Sequence, residues 1–173
     1  DFKQNLSGRL SLQYGIRISN FNRIGQDNVL QYETGRPLTY NAVQDIWEEN
    51  EVIGSESFSS GESIESFYGF EPRFSARYLV NDDTSLKLSY NRNYQYIHLI
   101  SNTTSPTPLD IWAPSGQYLK PQYADQFALG YFKSLKDGTY DFNIEGYYKE
   151  MYDVTDFIDG ADLLFTENIE TQV

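Results

Sequence analysis

The feature that most constrains this chain is an alternation of apolar and polar residues with a period of two, repeated in run after run. From Leu10 the even positions read Leu10, Leu12, Tyr14, Ile16, Ile18, and the odd positions read Ser11, Gln13, Gly15, Arg17, Ser19. A strand turns successive side chains to opposite faces, so this pattern gives one apolar face and one polar face. A second run sets Tyr68, Phe70, Pro72, Phe74, Ala76 and Tyr78 against Gly69, Glu71, Arg73, Ser75 and Arg77. A third sets Leu86, Leu88, Tyr90, Tyr94 and Tyr96 against Ser85, Lys87, Ser89, Asn91, Asn93 and Gln95, with Arg92 interrupting its apolar side. Phe127, Leu129 and Tyr131 lie opposite Gln126, Ala128 and Gly130, and Tyr140, Phe142, Ile144 and Tyr148 lie opposite Asp141, Asn143, Glu145 and Lys149.

The expectation is an all-β chain of about five antiparallel up-and-down strands, near 9–21, 67–80, 85–100, 123–135 and 139–154. The connections alternate in length. Asn81-Asp82-Asp83-Thr84 and Lys136-Asp137-Gly138-Thr139 carry tight-turn chemistry. Long loops fill 22–66 and 101–122, and a third segment, 155–173, follows the last strand. Pro106, Pro108, Pro114 and Pro121 keep the second loop out of regular structure, and a short helix is expected near Val43–Glu51 inside the first. Short turns at one end and long loops at the other are the layout of a transmembrane barrel, with the long loops extracellular. A barrel strand needs about 9–11 residues to cross the bilayer, and these runs are longer.

Composition separates a barrel wall from a soluble sandwich. The chain has 15 Tyr, 11 Phe and 2 Trp, and its mean hydropathy is negative at −0.57. A sandwich core favours Val, Ile and Leu, whereas every buried Tyr hydroxyl needs a partner. Tyr14, Tyr68, Tyr78, Tyr90, Tyr94, Tyr96 and Tyr148 sit on the apolar face, often towards strand ends, where an amphipathic ring suits a membrane interface. Arg17, Glu71, Arg73, Arg77, Lys87, Glu145 and Lys149 lie among small polar residues on the other face, expected to line a hydrated or plugged lumen.

The net charge of −12 is concentrated in two segments. Residues 42–65 carry Asp45, Glu48, Glu49, Glu51, Glu56, Glu62 and Glu65 without a Lys or Arg, and 153–173 is likewise acidic and free of bases. These are solvated loops or a cation-attracting, ligand-facing surface. With no basic patch carrying interleaved aromatics, nucleic acid is not an expected partner.

Catalytic motifs are missing. There is no His-Glu-x-x-His, no Gly-Lys-Ser/Thr phosphate loop and no Gly-x-Ser-x-Gly elbow, and the chain has no Cys. Asp153, Asp156, Asp159 and Asp162 lack the spacing of a calcium loop. The expectation is no enzyme, no cofactor and no metal. For ligand contact the candidates are Trp47, Tyr94, Tyr96, His98, Trp112 and Tyr118, whose rings could stack on sugars or flat chelates; the alternative is that they pack the loops together.

Residues 69–78 (Gly-Phe-Glu-Pro-Arg-Phe-Ser-Ala-Arg-Tyr) and 81–90 (Asn-Asp-Asp-Thr-Ser-Leu-Lys-Leu-Ser-Tyr) resemble the barrel of TonB-dependent receptors, particularly those of Bacteroidota-type bacteria. Residues 119–126, then Gly130-Tyr131-Phe132, and Gly146-Tyr147-Tyr148-Lys149-Glu150-Met151 are similar to the family's following strands, so the resemblance covers most of 66–162. It implies a piece of a barrel of about 22 strands with a plugged lumen. It also implies an outer-membrane location and contact with lipid, with the plug domain and TonB as partners through a full-length parent. The cargo would be a scarce nutrient: iron chelate, cobalamin, glycan or peptide. On this reading both ends are cut and the plug lies outside the chain. Two alternatives stay open: a soluble surface-exposed β-domain that binds a partner through its acidic loops, and a purely structural wall.

Overall fold

The computed structural model describes residues 1–100, 111–135 and 139–156. All regular structure in these residues is β: β1 (Phe2–Asn5), β2 (Leu10–Ile24), β3 (Asp27–Tyr32), β4 (Leu38–Asn41), β5 (Ile46–Glu49), β6 (Val52–Phe58), β7 (Ser63–Asn81), β8 (Thr84–Gln95), β9 (Ile97–Ile100), β10 (Ile111–Pro114), β11 (Gln122–Leu135) and β12 (Tyr140–Tyr152). Among the described residues no helix is long and apolar enough to cross a membrane. The chain divides into two compact units, 1–19 with 68–94 and 123–152, and 20–67 with 95–122 and 153–173.

The first unit is built on a six-stranded open sheet in the order β1-β2-β7-β8-β11-β12. Every neighbour in that order is also next in the chain among the sheet's strands, which is up-and-down connectivity. The five alternating runs supply β2, β7, β8, β11 and β12. β1, too short to show an alternation, adds a sixth strand through Phe2↔Tyr14 and Lys3↔Gln13. β2, β7, β8, β11 and β12 have 15, 19, 12, 14 and 13 residues, each more than the about 9–11 that a tilted strand needs to cross a bilayer.

Tight turns follow from side chains that bond their own backbone. Ser7 Oγ accepts hydrogen bonds from the Arg9 and Leu10 amides (3.2 and 3.1 Å), closing the β1–β2 turn. Asn81 Oδ1 accepts from the Asp83 amide (3.1 Å) between β7 and β8, where the register shifts between Leu79 and Asn81. The expected Lys136-Asp137-Gly138 turn lies outside the described residues. Pro72 lies one residue past the end of the β7–β8 register, which runs from Asn81↔Thr84 to Arg73↔Asn91, so its missing N–H takes no bond from that ladder.

The second unit gives the first long connection a regular structure of its own. Residues 27–58 form a nested hairpin, with β3 paired to β6 from Asp27↔Phe58 to Tyr32↔Val52, and β4 paired to β5 inside it. The expected helix near Val43–Glu51 is absent, replaced by a turn and β5. Asn41 Oδ1 takes the Val43 and Gln44 amides (3.0 and 3.3 Å), and Asp45 adopts a positive φ of 58°, which ends any helical run. Val43, 94% exposed, packs against nothing that could orient a helix.

The strand expected over 85–100 also divides. β8 stops at Gln95, and β9 pairs instead with β10 through His98↔Ala113 and Ile100↔Ile111. Pro114 ends β10 rather than preventing it.

Hydrophobic burial is distributed in an unusual way. Among the described residues, the buried apolar side chains are Val29, Tyr32, Leu38, Ile100, Ala113 and Leu119, all in the second unit. The sheet of the first unit buries none of its large apolar side chains to that degree. Ile18, Leu88, Leu129 and Ile144, in the middle of their alternating runs, are 72%, 50%, 59% and 60% exposed.

Candidate functional site

Register assigns the two faces of the sheet. Phe74↔Tyr90, Ala76↔Leu88 and Tyr78↔Leu86 align on one face of β7–β8, and Phe127↔Tyr148 and Tyr131↔Ile144 on the same face of β11–β12. Among the described residues no protein layer covers this face. An exposed apolar surface of this extent on a soluble chain marks a contact with something else. In a bilayer it needs no protein cover, since lipid tails meet it and the ladder bonds the backbone within the sheet.

Towards the β8 C-terminus the face changes character. Tyr94 stacks on Tyr123 (ring centroids 5.3 Å apart) and Tyr123 on Tyr152 (4.6 Å), a three-ring ladder across β8, β11 and β12. Next to it Arg92, the residue that interrupts the apolar run, donates to both carboxylate oxygens of Asp125 (2.8 and 2.6 Å) and lies 5.0 Å from the Tyr123 ring centroid. Tyr90 donates its hydroxyl to Asp125 (2.8 Å) and packs its ring on Phe127 (4.8 Å). The stacked tyrosines form part of an interface belt, and the ion pair is tolerated there because each charge faces its partner and a ring.

The opposite face holds the polar residues. Glu71 on β7 is fully buried, accepting from Arg17 Nε (2.8 Å), Arg17 Nη2 and Ser19 Oγ (2.7 Å). A buried carboxylate must be paired and bonded, and both its oxygens are. Arg73 approaches Asp1 at 3.9 Å. Arg77 and Lys87 are directly opposed across β7–β8. Glu145 and Lys149 are exposed on β12, opposite Gly130 and Gln126.

The six aromatic and imidazole candidates separate. Tyr94 belongs to the first unit, in the tyrosine ladder. In the second unit, Tyr96 stacks on Phe21 (5.3 Å, 6° between planes). Tyr118 donates its hydroxyl to the Leu30 carbonyl (2.7 Å) and meets Tyr32 edge-on. His98 is 1% exposed beside Ile100, with Nε2 2.9 Å from Ser115 Oγ and Nδ1 without a hydrogen-bond partner among the described residues. Burial pushes its pKa below the ordinary imidazole value. These three are engaged in holding the loops together. Trp47 and Trp112 remain 49% and 66% exposed.

Trp47 is paired with a ring that sequence reasoning left out. Tyr40, its register partner on the β4–β5 hairpin, lies 5.3 Å away and donates its hydroxyl to Asp45, which raises the phenol's pKa. The alternation Leu38-Thr39-Tyr40 followed by a turn and Ile46-Trp47 was the available signal. Asp125 was also missed, because it takes an apolar slot and its partner is on another strand. The acids of 42–65 are exposed apart from half-buried Glu65. Among the described residues no cluster of His, Asp and Glu has the arrangement of a metal site, and Asp159 and Asp162 lie outside those residues.

An antiparallel up-and-down sheet with long strands, an uncovered apolar face and an interface belt defines a section of transmembrane β-barrel wall. The family model described as TonB dependent receptor-like, beta-barrel matches residues 2–172, and the chain belongs to that family. It is a family of outer-membrane transport receptors, not of enzymes. No curated protein and no solved structure matches the sequence significantly.

Proposed function

We propose that this chain is wall and surface loop of an outer-membrane receptor that captures a scarce nutrient outside the cell and imports it. The cargo is an iron chelate, cobalamin, a glycan or a peptide, and the energy comes through TonB acting on a plug domain of the full-length parent. The observation that carries this reading is the inverted burial: the loops hold the packed apolar side chains, and the sheet leaves its apolar face bare. A soluble binding module would need that face covered.

In this reading the 22–66 and 101–122 segments are extracellular, and the polar face, with Arg17, Glu71, Arg73, Arg77, Lys87, Glu145 and Lys149, faces the lumen. Trp47 with Tyr40, and Trp112, are the rings available for first contact with cargo. The test is uptake by cells lacking the parent protein. Loss of energised uptake of one of the four cargo classes, restored by the intact protein and impaired by Trp47→Ala or Trp112→Ala, supports the proposal. Wild-type uptake of all four would refute it.

A further inference from the structure

The polar face carries a positive charge that nothing in the described residues neutralises. Arg77 on β7 and Lys87 on β8 are register partners, and like charges set directly opposite cost a sheet stability. Lys3 on β1 joins them around one recess of ≈ 440 Å³, with Gln13, Ser75 and Ser85 among its other walls. Among the described residues none of the three cations forms an ion pair. Asp82, Asp83 and Asp141 line a second recess shared with Arg77, and among the described residues none of them forms a salt bridge with it.

The contrast with Arg17 and Arg92 on the same sheet is direct, since each of those has its own carboxylate. Here the donors are an Arg fork, two mobile ammonium groups, three hydroxyls and a side-chain amide, with Leu12 and Phe132 as the apolar walls and no carboxylate in the recess. Three positive charges with neutral donors between them match a compact dianion whose oxygens each need a donor. A wholly apolar or cationic solute would leave the cations opposed and unpaired.

We propose that this recess is a binding site for a phosphate or sulfate group in the lumen. It lies on β1, β2, β7 and β8, among side chains near the tight-turn end of the sheet, and holds the anion by charge-assisted hydrogen bonds from Arg77, Lys87 and Lys3. The proposal rests on the reading that the polar face lines a hydrated lumen.

Both are tested on the full-length protein in detergent, carrying Ser75→Cys with any other cysteine replaced by serine and its fold checked by heat-shifted migration. The 173 residues contribute no native Cys. A water-soluble maleimide should label the new thiol, and millimolar inorganic phosphate or sulfate should slow labelling about tenfold. Chloride at equal ionic strength should not, and adding Arg77→Gln with Lys87→Gln should abolish the protection, read as the ratio of labelling rates with and without phosphate in that same variant. Labelling that phosphate leaves unchanged, or that chloride slows equally, overturns the anion site and leaves the lumen reading standing. A folded protein whose thiol is not labelled overturns both.

Discussion

Arg92 and Asp125 form a bidentate ion pair, Nε to Oδ1 at 2.8 Å and Nη2 to Oδ2 at 2.6 Å, on the face of the sheet that otherwise carries rings and aliphatic side chains. The two residues are 33 positions apart and on adjacent strands, so each justifies the other's presence on that face. Neither side chain is far from water at this end of the strands, with relative exposures of 31% and 14%. Asp125→Leu leaves an unpaired guanidinium against the tyrosine ladder and should cost about 1–3 kcal/mol. Arg92→Leu with Asp125→Leu should recover most of that loss. Urea unfolding of the full-length protein in detergent or vesicles, run as a double-mutant cycle, measures the coupling; additive single losses would show that the pair is not a unit.

Leu88 and Ser89 are sequence neighbours on opposite faces. Leu88→Arg places a charge in lipid and should destabilise the folded barrel by about 2–4 kcal/mol if the position is near the bilayer midplane. Ser89→Arg on the polar face should change stability by no more than about 0.5 kcal/mol. Equal effects at the two positions would mean that both faces meet water.

Glu71→Ala removes the carboxylate bonded to Arg17 and the acceptor of Ser19 Oγ, and opens space at a side chain that is fully buried. A loss of about 2 kcal/mol is expected, with Glu71→Gln keeping part of it because the amide oxygen still accepts. The same unfolding midpoints report it; a neutral Glu71→Ala would show that the polar-face network does not stabilise the wall.

His98 titrates below the ordinary imidazole value because it is buried. With the folded pKa depressed, the unfolded state binds the proton more readily, so the β9–β10 hairpin is most stable above about pH 6.5 and weakens as pH falls through the depressed value. Hydrogen exchange of the Ile97–Ile100 amides should accelerate between pH 7 and 5 relative to the intrinsic rate. His98→Gln should flatten that dependence, and an unchanged dependence in the variant would place its origin elsewhere.

Much of the wall could be read from the chain because side-chain alternation is a local signal. Five of the six sheet strands carry it, from Leu10–Ser19 to Tyr140–Lys149, and the tight turns announce themselves through Asn81, Asp82 and Asp83. What escaped depends on partners distant in sequence. β1 has only four residues and is a strand because β2 pairs with it. The nested hairpin of 27–58 is held by register between segments such as Val29 and Glu56, each short and interrupted by acids. Arg92 reads as a defect until Asp125 is placed beside it. Among the candidate ligand residues, composition found the aromatic rings but not their exposure: Tyr118 is tied to Leu30, His98 is buried beside Ser115, and Trp47 and Trp112 face outward.

The central claim is that the bare face of this sheet lies against lipid in a closed barrel. The most direct test is on the native protein carrying this sequence, by membrane fractionation followed by a denaturing gel with and without boiling. An outer-membrane band that changes mobility on heating is the expected result, since a closed barrel resists detergent until heated. A soluble band that migrates identically before and after boiling would contradict the account and leave the apolar face needing a protein partner.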